Sequence, residues 1–239
     1  MARIRAFFIL LIFVFCVLSV SQIFAQETSK FGECPVEYGF QGSYNFAKKT
    51  KSFVAIKKLE EISPRVLNNI QKQLKARVGE DFFRKLEFRY GDAKDFDDAA
   101  PLKAVDAERI DAYDFVFKFS DKSKGLETFN FKVVADSKGK LIDDLALPDI
   151  AANPQKGILI PCRQALAIAA NNGFPPERSS IYFIYDWKSK TFVWAIYDNQ
   201  AVKPDDSISR LIGQGTFRNI YIDANTGSVV KFFKQTILV

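Results

Sequence analysis

The chain of 239 residues contains no histidine. That removes the commonest general base and the commonest transition-metal ligand. Cysteine is scarce: Cys16, Cys34 and Cys162 are all there is. Two cysteines outside the leader cannot build a structural zinc site. No phosphate-binding Walker loop, dinucleotide fingerprint or nucleophile elbow occurs. Dense charge of one sign is also lacking. The clearest basic cluster, Lys48-Lys49-Thr50-Lys51, is short, and Lys57-Lys58 is answered by Glu60-Glu61. Nucleic-acid binding calls for a denser stripe. Neither a cofactor nor a nucleic-acid partner is expected.

The start of the chain differs from the rest. Arg3 and Arg5 precede an uncharged run from Ala6 to Val20, and the small Ala25 follows. This order predicts a secretory signal over residues 1–25, cleaved after Ala25. The run is shorter than the ~18–20 residues a span needs, so no membrane span is expected after cleavage. The product is secreted or periplasmic. It keeps 214 residues (239 less 25) and a net charge of +4, with 32 basic side chains against 28 acidic ones. Cys34 and Cys162 remain. In an oxidising compartment they have only each other to pair with. The rival is a reactive thiol at Cys162 beside Arg163, but no histidine exists to serve it.

The chain nearly repeats itself. Phe129–Ile142 is strand-like, turns at Asp136-Ser-Lys-Gly139 and restarts with apolar residues. Phe217–Val230 does the same, turning at Asp223-Ala-Asn-Thr-Gly227. Gly139 and Gly227 each fit a hairpin position needing φ > 0. Asp223 fits a side-chain bond to the turn backbone. Upstream of each lies a helix opening at a proline, Pro64 or Pro161. The glycines are 88 residues apart and the prolines 97, so the first copy carries about nine extra residues. A repeat this long, seen twice, predicts two related units and not a solenoid.

The expected organisation is an arm at 26–62, a first unit at 63–146, a linker at 147–157 and a second unit at 158–239. Within the arm, Phe53, Ala55 and Ile56 fit either a strand or a first helical turn. Ser63 caps a helix over Pro64–Val78, with Val66, Leu67, Ile70, Leu74 and Val78 on one face and Gly79 at its end. Strands are read at Phe82–Tyr90, Tyr113–Phe119 and Phe129–Val133, with an Asp- and Ala-rich insertion at Gly91–Arg109. In the second unit the helix centres on Ala165–Ala169. Strands follow at Ile181–Trp187, Thr191–Asp198, Thr216–Asp223 and Val229–Phe233, with a polar excursion at Ala201–Gly215. The fold class is α+β: two tandem units, each a helix packed on an antiparallel sheet.

Carboxylates are the remaining candidates for chemistry. Asp92, Asp95, Asp97 and Asp98 cluster in the insertion, and Asp143-Asp144 follow the first hairpin. They lack calcium-loop spacing, and a solvated acidic loop accounts for them. Tyr182, Tyr185, Trp187, Trp194 and Tyr197 crowd the second sheet. One helix cannot cover both faces, so some of these aromatics face outward as candidate binding residues.

Three segments of the second unit carry a family resemblance: Gln164-Ala-Leu-Ala-Ile-Ala169, Phe192-Val-Trp194-Ala-Ile196 and Tyr221-Ile-Asp223-Ala-Asn-Thr-Gly227-Ser-Val229. Over about Ile158–Phe233 the chain resembles the PepSY and PepSY-like domains, cystatin-like helix-on-sheet modules of exported bacterial proteins. The first unit matches only through its helix and the Ala135–Leu141 hairpin, as a degenerate copy would. Ile160-Pro161 departs from the Ser or Asp cap expected before the second helix. The resemblance implies a non-catalytic module that binds or restrains peptidases, and it supplies no catalytic residues. The expected function is non-enzymatic binding of a protein or peptide. The alternative is a small-ligand carrier, or an enzyme using a carboxylate, with a pocket between helix and curved sheet.

Overall fold

The computed structural model describes Cys34 and residues 36–37, 40–41, 49–100, 102–103, 107–198 and 214–238. The expected signal at 1–25 lies outside the described residues, as does most of the polar excursion at Ala201–Gly215.

The first helix, α1, spans Pro64–Phe83. Ser63 Oγ accepts from the Val66 N–H, and Pro64 takes the first turn, where no N–H is needed. Val66, Ile70, Leu74, Val78 and Phe82 form the buried stripe. The sequence reading ended this helix at Gly79 and began a strand at Phe82. Instead Gly79 sits inside α1 at φ 76°, ψ 163°, a region open essentially to glycine alone. The chain kinks there and makes one more turn, which turns Phe82 into the core.

The first sheet contains β3 (Ser52–Ile56), β4 (Glu87–Asp95), β5 (Ala112–Asp121) and β6 (Leu126–Asp136), each antiparallel to the next. β3 resolves the ambiguity at Phe53–Ile56 in favour of a strand. Alternation puts Tyr113, Phe115, Phe117 and Phe119 opposite Ala135, Val133, Phe131 and Phe129 on the buried face. β4 runs on through Gly91–Asp95, which the sequence reading gave to an insertion. Gly91, Ala93 and Asp95 face inward in alternation, so strand geometry wins over their loop-like composition. Beyond the Gly139 turn the chain makes one bridge, Ala135 to Leu141, and no full strand.

The second half begins with α2 (Cys162–Asn171), whose N-cap is Pro161 with no side-chain cap bond. It packs over β8 (Thr191–Asp198) and β9 (Gln214–Asp223). β7 (Ser179–Asp186) and β10 (Val229–Leu238) flank them in the order β7-β8-β9-β10.

An N-terminal arm touches both sheets. Its β1 (Val36–Glu37) runs parallel to β7, and its β2 (Phe40–Gln41) runs parallel to β6. Cys34 just before them is joined to Cys162 as a disulfide, with Cα atoms 6.4 Å apart. The segment read as a linker, 147–157, is pinned down: Leu147 and Ile150 are buried, and the Arg77 carbonyl accepts from the Ile150 and Ala151 N–H groups. One continuous core runs through both halves. Phe82 of α1 meets Phe119 at 4.8 Å, and Phe129 lies edge-on to Phe183 and Phe192 at 5.5 and 5.4 Å.

Candidate functional site

Strand alternation splits the second sheet into two chemistries. On the side toward α2, Ile181, Phe183 and Tyr185 of β7 join Phe192, Trp194 and Ile196 of β8 and Ile220 and Ile222 of β9, all buried. The other side carries Tyr182, Tyr197 and Tyr221, each half-buried. Tyr182 meets Tyr197 edge-on, centroids 5.2 Å apart at 86°. The hydroxyls of Tyr197 and Tyr221 are 3.4 Å apart. The Lys231 ammonium sits 5.4 Å over the Tyr221 ring. Ala195, cross-strand neighbour of both Tyr182 and Tyr221, is fully buried between them. Its small side chain leaves room for the rings.

This divides the sequence-derived aromatics. Tyr182 and Tyr197 share the outer face. Trp187 lies in the β7–β8 turn, 47% exposed, with its ring edge-on to Tyr185 at 4.9 Å. Trp194 and Tyr185 are corrected to core residues. Trp194 is fully buried and its indole N–H donates to the Ile160 carbonyl at 3.3 Å. Tyr185 is 2% exposed and its hydroxyl accepts from Arg77. Their strand positions point them toward α2. Tyr221, Asn219 and Lys231 were not singled out as site residues. Simple alternation against the buried Ile220 and Ile222 was the available signal. Asn219 is 3% exposed, and its Oδ1 has no hydrogen-bond partner among the described residues.

The electrostatics keep the Tyr221 phenol neutral. Burial, and then the hydrogen bond with Tyr197, push the Tyr221 hydroxyl well above the usual tyrosine value. At the rim, burial works against the charged form of Asp186. The Ser189 hydroxyl and backbone N–H and the nearby Lys231 outweigh it and hold the carboxyl below its ordinary value. Burial likewise raises Tyr113 and Tyr185. A folded pKa above the unfolded one means the folded state keeps a proton that the unfolded state loses. Stability from these groups is complete at neutral pH and falls as pH climbs past about 10. Alkaline titration should show late phenolate absorbance from Tyr113, Tyr185 and Tyr221, with unfolding in the same range. Ionisation of all tyrosines in one step near pH 10, without unfolding, would contradict it.

The other candidates are structural. Asp95 Oδ1 accepts from the Asp97 and Asp98 N–H groups at 2.9 Å, and Arg109 binds Oδ2 at 2.9 Å. Those two backbone bonds lead in holding its carboxyl below the usual value. Asp95 thus clamps the loop that follows β4. On the outer face of the first sheet, Lys94 and Lys132 meet Asp114 Oδ2 at 2.9 and 3.0 Å. Burial raises the neighbouring Asp92. Asp143 Oδ1 accepts from the Asp144 N–H, a local turn. Asp223 Oδ1 accepts from Asn225 and Thr226 N–H, both at 2.8 Å, and Asp136 does the same for Lys138 and Lys140 at 2.9 Å. Gly139 and Gly227 have φ 79° and 76°. No group of three or more metal-ligating side chains occurs among the described residues.

A cavity of about 170 Å³ lies between α1 and the first sheet. Among the described residues its lining is apolar except for Gln71, with no carboxylate. No helix among the described residues is long and apolar enough to cross a membrane. No family model, curated protein or solved structure matches the chain.

Proposed function

We propose that this is an exported, non-enzymatic module that binds a protein or peptide through the tyrosine face of the second sheet. The observation that carries the reading is the row Tyr182, Tyr197 and Tyr221 on the side of the sheet away from α2. Tyrosine combines a flat apolar body with a polar tip and loses little conformational freedom on binding, which is why it is frequent at interfaces. An extended polypeptide laid across the face meets the ring surfaces of Tyr182, Tyr197 and Tyr221. Export rests on the Arg3/Arg5 leader and on the Cys34–Cys162 bond, which an oxidising compartment maintains. The PepSY-like resemblance, with two tandem helix-on-sheet units and a degenerate first copy, adds a more specific expectation: the partner is a peptidase held in check. An enzyme acting through a carboxylate is the weaker reading, because no Asp or Glu among the described residues lines the cavity under α1.

Tyr197→Ala with Tyr221→Ala tests it. Both rings are half-buried and off the core, so the double variant should fold. Interface tyrosines at such positions are worth roughly 1–2 kcal/mol or more each. Capture of the native partner from the envelope should fall at least tenfold against the parent chain. Equal capture by the two would remove the tyrosine face from the account.

A further inference from the structure

We infer that the cavity under α1 is a binding site for a neutral, single-ring aromatic molecule. The cavity measures about 170 Å³. Protein interiors leave few voids larger than a water molecule. An apolar cavity of roughly 150 Å³ is large enough to take up benzene.

The lining selects the ligand. Leu67 and Ile70 of α1 form one wall, and Phe88, Phe115 and Phe117 of β4 and β5 form the other. Phe88 stands edge-on to Phe115 and Phe117, with centroids 6.0 and 5.7 Å away and interplanar angles of 69° and 72°. The wall is therefore built largely of aromatic rings, against which another ring packs well. An alkyl group would gain contact area alone. Among the described residues Gln71 is the one polar residue in the lining, and no charged side chain takes part. A charged ligand would lose its hydration with nothing to replace it. At the rim, Lys75 lies 5.0 Å over the Phe83 ring but is paired with Glu80 at 3.1 Å, so the entrance does not favour anions.

Access does not require unfolding. Leu59, Leu67, Phe83, Leu86 and Phe88 are only partly buried although they pack on the core. They form an apolar collar open to solvent. The site is separate from the tyrosine face, on the other sheet, and does not depend on what that face binds.

The test titrates the purified full chain with toluene and, separately, with benzoate, following amide resonances by NMR. Toluene should give saturable shifts confined to the amides around Leu67, Gln71 and Phe88, with Kd on the order of 0.1–1 mM. Benzoate should bind at least tenfold more weakly. Leu67→Phe, whose larger ring occupies the lined space, should weaken toluene binding at least tenfold. If that variant fails to fold, Gln71→Phe replaces it with the same expected loss. Absence of saturable toluene shifts, equal binding of benzoate, or binding unchanged in the filled variant would overturn the proposal.

Discussion

Replacing Cys34 with alanine should lower the unfolding free energy by about 4–5 kcal/mol in the chain-entropy account. The Cys34–Cys162 bond spans 128 residues of sequence, so the unfolded chain loses much freedom when it closes. Cys34 is the better partner to change. It is half-buried, whereas Cys162 is 1% exposed at the start of α2, where its removal would add a packing loss. The tether also has a structural role. It holds the arm that adds β1 to the edge of one sheet and β2 to the edge of the other. Without it both edges lose a covering segment and become templates for pairing with other chains. Urea unfolding of Cys34→Ala should show a lower midpoint, with increased aggregation at intermediate urea. A midpoint equal to that of the parent would show that the bond closes no loop in the unfolded chain.

Gly139→Val should cost about 3 kcal/mol or more. The residue has φ 79°, where a side chain costs roughly 1–2 kcal/mol. A Cβ built there would also lie 2.5 Å from the Val66 carbonyl oxygen and 3.1 Å from Asn69 Cβ. The first of these is helix backbone and cannot swing aside. The hairpin would have to lift off α1, breaking the bonds from Asn69 to the Lys138 carbonyl and from Gln73 to the Gly139 carbonyl, both 2.8 Å. Gly227 provides the comparison. Its φ is similar, but the nearest atom to an added Cβ is Ile168 Cδ1 at 3.2 Å, the end of a flexible side chain. Gly227→Val should therefore cost about 1–2 kcal/mol, mostly backbone strain. Thermal melts of the two variants rank them. If they melt together, the first hairpin does not press on α1 as described.

These two glycines also show how much of the fold could be read from the chain. Short-range chemistry was legible. Ser63-Pro64 announced a helix, the alternating phenylalanines of β5 and β6 announced a half-buried sheet, and Asp and Gly at fixed offsets announced both turns. What escaped depended on distant partners. Gly91–Asp95 looks like a loop until Arg109 arrives to neutralise Asp95 and lets that carboxylate sit inside. Gly79 looks like a helix end until Phe82 is needed in the core beyond it. The segment at 147–157 looks like a linker until Arg77 and the buried Leu147 tie it to α1. For the candidate site, sequence supplied the crowd of aromatics but not their direction. Tyr185 and Trp194 differ from Tyr182 and Tyr197 only by strand parity, and one residue of register exchanges them.

The most direct test of the tyrosine-face account is site-specific photocrosslinking in the cells that export the protein. A photoreactive phenylalanine analogue would replace Tyr182, Tyr197 or Lys138 in turn. Lys138 lies in the turn of the first hairpin and belongs to no proposed site. The account predicts that the analogue at 182 and at 197 yields the same adduct with one polypeptide partner, and that the analogue at 138 does not. Adducts from 138 alone, or none from 182 and 197, would contradict it.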